Sequence, residues 1–270
     1  MGVIGARLPL HVLLSLVCVG LMSAEISKPL KERQADLPHG LGTIRRLSCI
    51  VSGDNDGVTQ PLIAVTLAPG IFQASLLDQS PTFPVGSRTV AATRALQPRA
   101  VVAINGGYFT PSFQPAGLFR IAEKELTPLA QKGVLSGILA LDATGGLRLL
   151  TREASLEGYP SAVQAGPFVI DPGGEVGVRA GTARANRSLI ALDARGRVLL
   201  LVTGALTLHH VAILLHDHAP ALGLEQVERA LNLDGGPSAG LSVALDDPTW
   251  SMVERGPVRN VLMIAPIPVP

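Results

Sequence analysis

The run Ala230-Leu231-Asn232-Leu233-Asp234-Gly235-Gly236-Pro237-Ser238 constrains this chain more than any other stretch. Its first half is apolar and too short for a helical period, so it reads as a buried strand. Two glycines followed by proline cannot continue a ladder, so the second half is a turn. Asp234 therefore stands where a strand stops and a loop with almost no side chains begins, a place where a ligand can approach backbone closely. The bland alternative is a tight connection opened by a turn-favouring acid.

The same architecture occurs at Asn105-Gly106-Gly107, which ends the apolar run 100–104. Gln164, before Ala165-Gly166-Pro167, ends another. If such tips share one rim, they supply an acid, two amides and bare N–H groups around one concavity. Arg187, opening the run 188–192, adds a cation that matches phosphate oxygens and never loses its charge. Arg255, ahead of the last strand, is a second candidate. An exposed, solvated position is the ordinary fate of either arginine.

The rest of the chain sets these tips in a strand-dominated fold. Short apolar stretches at 61–67 and 72–77 are divided by Ala68-Pro69-Gly70. Hairpins join 138–141 to 147–150 and 188–192 to 198–202. Helical spacing is clear only at Leu208, Val211, Ala212, Leu214 and Leu215, with Thr207 as N-cap; a short helix fits 89–96. Regular strand–helix alternation is missing. The expected class is α+β: a mixed, largely antiparallel β-sheet assembly with a few packed helices.

Composition narrows the function. Hydrophobic residues make up 47 % and charged residues 16 %, enough for a sizeable core. Aromatics are 3 %, so Val, Leu, Ile and Ala must fill it. A net charge of +1 without a polybasic cluster argues against nucleic acid as a partner. Arg7 followed by the apolar run 8–24, with Ser23-Ala24 before Glu25, reads as a signal peptide at 1–24. A polar linker at 25–40 and one domain at 41–268 follow. The expected destination is export, periplasmic or secreted, with no membrane span after cleavage. Cys49 is then the sole thiol and reads as a small buried hydrophobe.

Three other motifs are weighed. Gly236-Pro237-Ser238-Ala239-Gly240 fits G-x-S-x-G, but no histidine follows Ser238, as a hydrolase elbow requires. His209, His210, His216 and His218 crowd one helix without the i,i+4 pair and glutamate of a zinc protease, so no metal is expected. No phosphate-cradling glycine motif is present, and no cofactor is expected.

Taken together, Ala103-Ile104-Asn105-Gly106-Gly107-Tyr108-Phe109, Val163-Gln164-Ala165-Gly166-Pro167, Arg187 through Asp193, Ala230 through Ser238, and Glu254-Arg255 through Asn260 resemble the phosphodiester glycosidase family in residues and order. The family usually has a third glycine where Pro237 stands. The resemblance implies a mixed fold, a phosphorylated carbohydrate as substrate, and hydrolysis of a sugar-1-phosphodiester in an exported glycan. It implies Asp234, Arg187 and Glu254 as catalytic residues. Asn105, Gly106, Gly107, Tyr108, Gln164, Asn232, Gly235, Gly236, Ser238 and Arg255 would bind substrate. A silent glycan-binding module and a serine esterase using Ser238 are the alternatives, and oligomeric state is not legible.

Overall fold

A computed structural model describes residues 25–52, 57–80, 83–84 and 87–268. The expected signal peptide at 1–24 lies outside these residues. All paired strands run antiparallel. The seven-stranded sheet has the order β1 (Leu30–Asp36), β2 (Gly42–Val51), β3 (Val58–Leu67), β13 (Val198–Leu206), β12 (Ala185–Asp193), β14 (Val227–Asn232) and β11 (Phe168–Ile170). A five-stranded sheet orders β7 (Lys124–Thr127), β6 (Phe119–Ile121), β10 (Ser161–Ala165), β8 (Gly137–Leu141) and β9 (Leu147–Thr151). A four-stranded sheet orders β15 (Leu241–Val243), β5 (Val102–Asn105), β16 (Asn260–Pro266) and β4 (Phe72–Asp78).

The central strands read as continuous apolar runs because both faces of the large sheet are covered. Side chains alternate along a strand, so neighbours enter different cores. Ile63, Val65, Leu200, Val202, Ile190 and Leu231 point into one that also takes Ile104, Leu262, Leu139 and Val163 from the smaller sheets. Leu62, Ala64, Leu199, Leu201, Leu189 and Ala230 point into the other. Helices α2 (Leu208–Asp217) and α3 (Ala219–Leu222) roof the second core with Val211, Leu214, Leu215 and Leu222. Thr207 caps α2 by accepting from the His210 N–H at 3.0 Å. Cys49 is buried in this core, and burial pushes its thiol up to about 11.

The stretch expected as a linker, 25–40, instead carries β1. Its residues are mostly exposed, so no apolar alternation advertised it. Backbone pairing with β2 from Leu30↔Ser48 to Asp36↔Thr43 holds it. Arg33 adds an ion pair to Asp247 and lies 4.7 Å over the Trp250 ring. Charged side chains along an edge strand also discourage pairing with another chain.

Candidate active site

Two strand tips from different sheets are clasped together. β5 of the four-stranded sheet ends at Asn105, and β14 of the seven-stranded sheet ends at Asn232. Just beyond them, the Asp234 N–H donates to the Gly106 carbonyl at 2.9 Å. In return the Asn105 Nδ2 donates to the Asp234 carbonyl at 2.7 Å. The Asn105 Oδ1 accepts from the Ser188 hydroxyl at 2.6 Å and from the Gly240 N–H at 3.1 Å. Asn105 is 1 % exposed, so these are bonds made away from water, where an unpaired group is costly. Its expected role as a ligand contact gives way to a structural one: it fixes where Asp234 sits.

A third tip joins through backbone. The Gly166 N–H donates to the Asn232 carbonyl at 2.9 Å, and the Asn232 N–H to the Pro167 carbonyl at 3.0 Å. The Tyr108 hydroxyl donates to the Gly166 carbonyl at 2.9 Å and accepts from Asn232 Nδ2. Gln164 sends its side chain elsewhere. Its Oε1 accepts from the N–H groups of Leu118 and Ala130, and its Nε2 donates to the carbonyls of Ala130 and Leu135. All four amide positions are spent on stitching loops, so Gln164 has nothing left to offer a substrate.

The glycines divide by purpose. A Cβ on Gly106 would come within 2.0 Å of Asn260 Oδ1, and one on Gly107 within 2.6 Å of Val163 Cγ2. Their bareness lets strands close up and does not clear room for a ligand, as the sequence suggested. Gly235 likewise abuts the Asn186 carbonyl, at 2.8 Å from a built Cβ. Gly236 differs: at φ +61° it takes the left-handed region, and a Cβ there would meet nothing within 4 Å. The open approach to backbone therefore lies over Gly236.

Grouped at this turn are Asp234, Ser238 and Arg187, with Tyr108 acting on both Asp234 and Arg187. Burial pushes the Asp234 carboxyl from 3.8 up to about 6, while the Ser238 hydroxyl and the Gly235 N–H pull the other way. Burial also raises the Tyr108 phenol well above its usual value; the Asp234 charge adds to this, and Arg187 and Asn232 oppose it. Arg187 is half-buried, which lowers its value, with the Tyr108 charge opposing. Its Nε donates to the Leu206 carbonyl at 2.9 Å and its Nη2 to the Ala183 carbonyl at 2.8 Å. Two fixed bonds orient the guanidinium without neutralising it.

The second carboxylate is occupied. Glu254 Oε1 accepts from the Val90 N–H at 2.6 Å, which starts α1 (Val90–Ala95). The acid thus satisfies an orphan donor at a helix start, and burial raises its value. Arg255 is exposed on the adjoining loop, whose N–H donates to the Pro237 carbonyl at 2.7 Å. Ser238 sits in a short 3₁₀ turn leading into β15, so a strand follows it where an esterase elbow needs a helix. Among the described residues no group of three or more His, Cys, Asp or Glu could hold a metal ion.

Sequence reasoning passed over Ser188 and understated Asn260. The Asn260 carbonyl accepts from the Gly106 N–H at 2.9 Å, and its Oδ1 from the Gly107 N–H at 2.8 Å. A polar residue opening an apolar run, the signal that singled out Arg187, was available there too. Surface cavities of about 740 and 660 Å³ contain none of these residues; Ile71, Arg99 and Ile267 line the larger. We place the site by its converging polar groups and not by cavity size.

No curated protein sequence matches the chain. Among solved structures, the zebrafish N-acetylglucosamine-1-phosphodiester α-N-acetylglucosaminidase catalytic domain, auto-inhibited by its pro-peptide, superposes with a TM-score of 0.61 at 16 % identity, covering 88 % of each chain. A hypothetical protein from Synechocystis gives 0.52 at 19 %, covering 84 % of this chain and 62 % of that one. A candidate exported protein from Burkholderia pseudomallei K96243 gives 0.54 at 16 %, covering 77 % and 74 %. At these identities the likeness establishes the fold alone, a largely antiparallel α+β assembly. The phosphodiester glycosidase family model matches residues 98–265, most of the chain and every strand tip of the site, and the chain belongs to that family.

Proposed function

We propose that the chain hydrolyses the bond between an anomeric carbon and a phosphodiester in an exported glycan, with Asp234 as the general base. The observation that carries this reading is a buried carboxyl held at about 6 that shares Tyr108 with a half-buried arginine in no ion pair among the described residues. A base works best when its value lies near the operating pH. Asp234 takes a proton from water as the water oxygen bonds to the anomeric carbon. The carbon–oxygen bond to phosphate breaks, and the phosphate leaves as an anion. Because that leaving group needs no protonation, a single carboxylate suffices where ordinary glycosidases use two. This fits the commitment of Glu254 to α1. Arg187 and the backbone over Gly236 receive the growing phosphate charge. Attack by water in one step inverts the anomeric centre.

Export is supported by the basic residue and apolar run at the N-terminus and by the candidate exported relative. Among the described residues no helix is long and apolar enough to cross a membrane. The test is sugar release from UDP-N-acetylglucosamine and from simple sugar-1-phosphodiesters, with anomers followed by NMR. Asp234→Asn should abolish release while the circular dichroism spectrum is unchanged. Turnover at the wild-type rate in that variant would remove Asp234 from the mechanism. Specific binding of every diester tested, with no release, would turn the reading to a silent glycan-binding module.

A further inference from the structure

The segments fastened on either side of the Gly235-Gly236-Pro237 turn carry arginines beyond the one assigned to the reaction. Between Glu175 and Asp193 the chain carries Arg179, Arg184 and Arg187 and no acid. Residues 179–184 are all exposed and lead directly into β12. Their end is fastened to the site: the Ala183 carbonyl accepts from Arg187 Nη2, and the Asn186 carbonyl lies against Gly235. The beginning of the loop is tied down as well, with the Val178 carbonyl 3.4 Å from His209 Nδ1 at the start of α2. On the other side of Gly235-Gly236-Pro237 comes Arg255, held there by the bond from its N–H to Pro237.

Charge pairing elsewhere sharpens the contrast. Arg33, Arg46, Arg152, Arg195, Arg197, Arg229 and Arg259 each lie within 4.0 Å of a carboxylate. Arg45, Arg88, Arg94, Arg99, Arg148 and Arg187 are in no such pair but donate to protein oxygens; among the described residues, Arg120, Arg179, Arg184 and Arg255 do neither. Three of these four, together with Arg187, belong to segments on two sides of one turn, in a chain with a net charge of +1. A field of one sign around a cleft raises the local concentration of an oppositely charged ligand. One phosphate at the reacting carbon would engage Arg187 alone and leave the rest of this charge without a counterpart.

We propose that Arg179 and Arg184, with Arg255 opposite, form a second anion subsite, and that the substrate is a sugar linked through a diphosphate. The phosphate nearer the sugar meets Arg187 and the backbone at Gly236. The farther phosphate meets the arginines of the 179–184 loop, so the loop selects the leaving group while the sugar side of the site is left to other segments. The proposal rests on Asp234 marking the reaction centre, and its test is independent of turnover.

Titration calorimetry at low ionic strength, with inorganic pyrophosphate and inorganic phosphate as probes, distinguishes the cases. Wild-type protein should bind pyrophosphate about tenfold more tightly than phosphate. The double variant Arg179→Ala/Arg184→Ala should lose about that factor for pyrophosphate and keep its melting temperature, since both side chains are exposed. Arg195→Ala, which removes a cation paired with Glu225 on the 193–197 turn, should leave the affinity unchanged. Equal affinity for the two probes, or a double variant within about twofold of wild type, overturns the subsite. Pyrophosphate preference with no sugar release from UDP-N-acetylglucosamine or any other diester tested would sink the hydrolase reading and leave the subsite standing. Sugar release without the preference would do the reverse.

Discussion

Replacing Asp234 by Asn should make the protein more stable at neutral pH while destroying its activity. The carboxyl is held at about 6 against an ordinary 3.8. That difference means the folded protein favours the protonated acid over the carboxylate by about 3 kcal/mol relative to the open chain. For an acid whose value rises on folding, the folded state binds its proton more tightly. Stability is therefore greatest below about pH 4 and falls as pH rises through about 6. Asn removes the ionisable group and keeps the shape, and its carbonyl oxygen can still accept from the Gly235 N–H, now 2.9 Å from Asp234 Oδ1. Allowing for partial hydration of the carboxylate, the gain should be about 2 kcal/mol at pH 7.5, or about 4–8 °C in Tm for a chain of this size. The gap should close at about pH 4, where Asp234 is already neutral. Paired melts by calorimetry at the two pH values measure it. An Asn variant that is less stable at pH 7.5, or a gap that does not change with pH, would refute the argument that burial of a charge raises this carboxyl.

Three other outcomes follow from the same geometry. The acid limb of kcat/KM should fall below about pH 6 as Asp234 takes up its proton, and a limb near pH 4 would deny that the carboxyl is raised. Asn105→Ala should cost about 3–5 kcal/mol in urea unfolding, because it strands the Ser188 hydroxyl, the Gly240 N–H and the Asp234 carbonyl together; a cost under about 1 kcal/mol would show that water replaces the clasp. Gly107→Ala should cost about 2–4 kcal/mol through its clash with Val163 and the Gln164 backbone, whereas Gly236→Ala should cost about 1 kcal/mol from its φ alone; the reverse ranking in thermal melts would exchange the roles of Gly107 and Gly236.

The fold class was legible because apolar runs broken by turn residues report strands directly. The runs 61–67 and 198–202 announced themselves as parts of β3 and β13, as did α2 with Thr207 at its cap. β1 was hidden because an edge strand facing water needs only its backbone to pair. At the site, local pattern named the tips correctly and misjudged their duties. Asn105, Gln164 and Glu254 are polar groups at strand or loop ends, the same signal that marks Asp234. What separates them is the partner each finds: Ser188, Leu118 and Val90 lie 83, 46 and 164 residues away. No window of sequence contains such pairs. The glycines misled for the same reason, since the atoms that crowd Gly106 belong to Asn260.

The bond between Asn105 and the Asp234 carbonyl ties the alignment of two β-layers to the aim of one acid. Sliding either layer would move Asp234, so the proposed chemistry is anchored where two sheets are hydrogen-bonded to each other. The 179–184 loop hangs outside that seam, fixed only at its ends. On the proposed reading, the leaving group that the site accepts is set by exposed residues whose replacement leaves the carboxyl of Asp234 where it is.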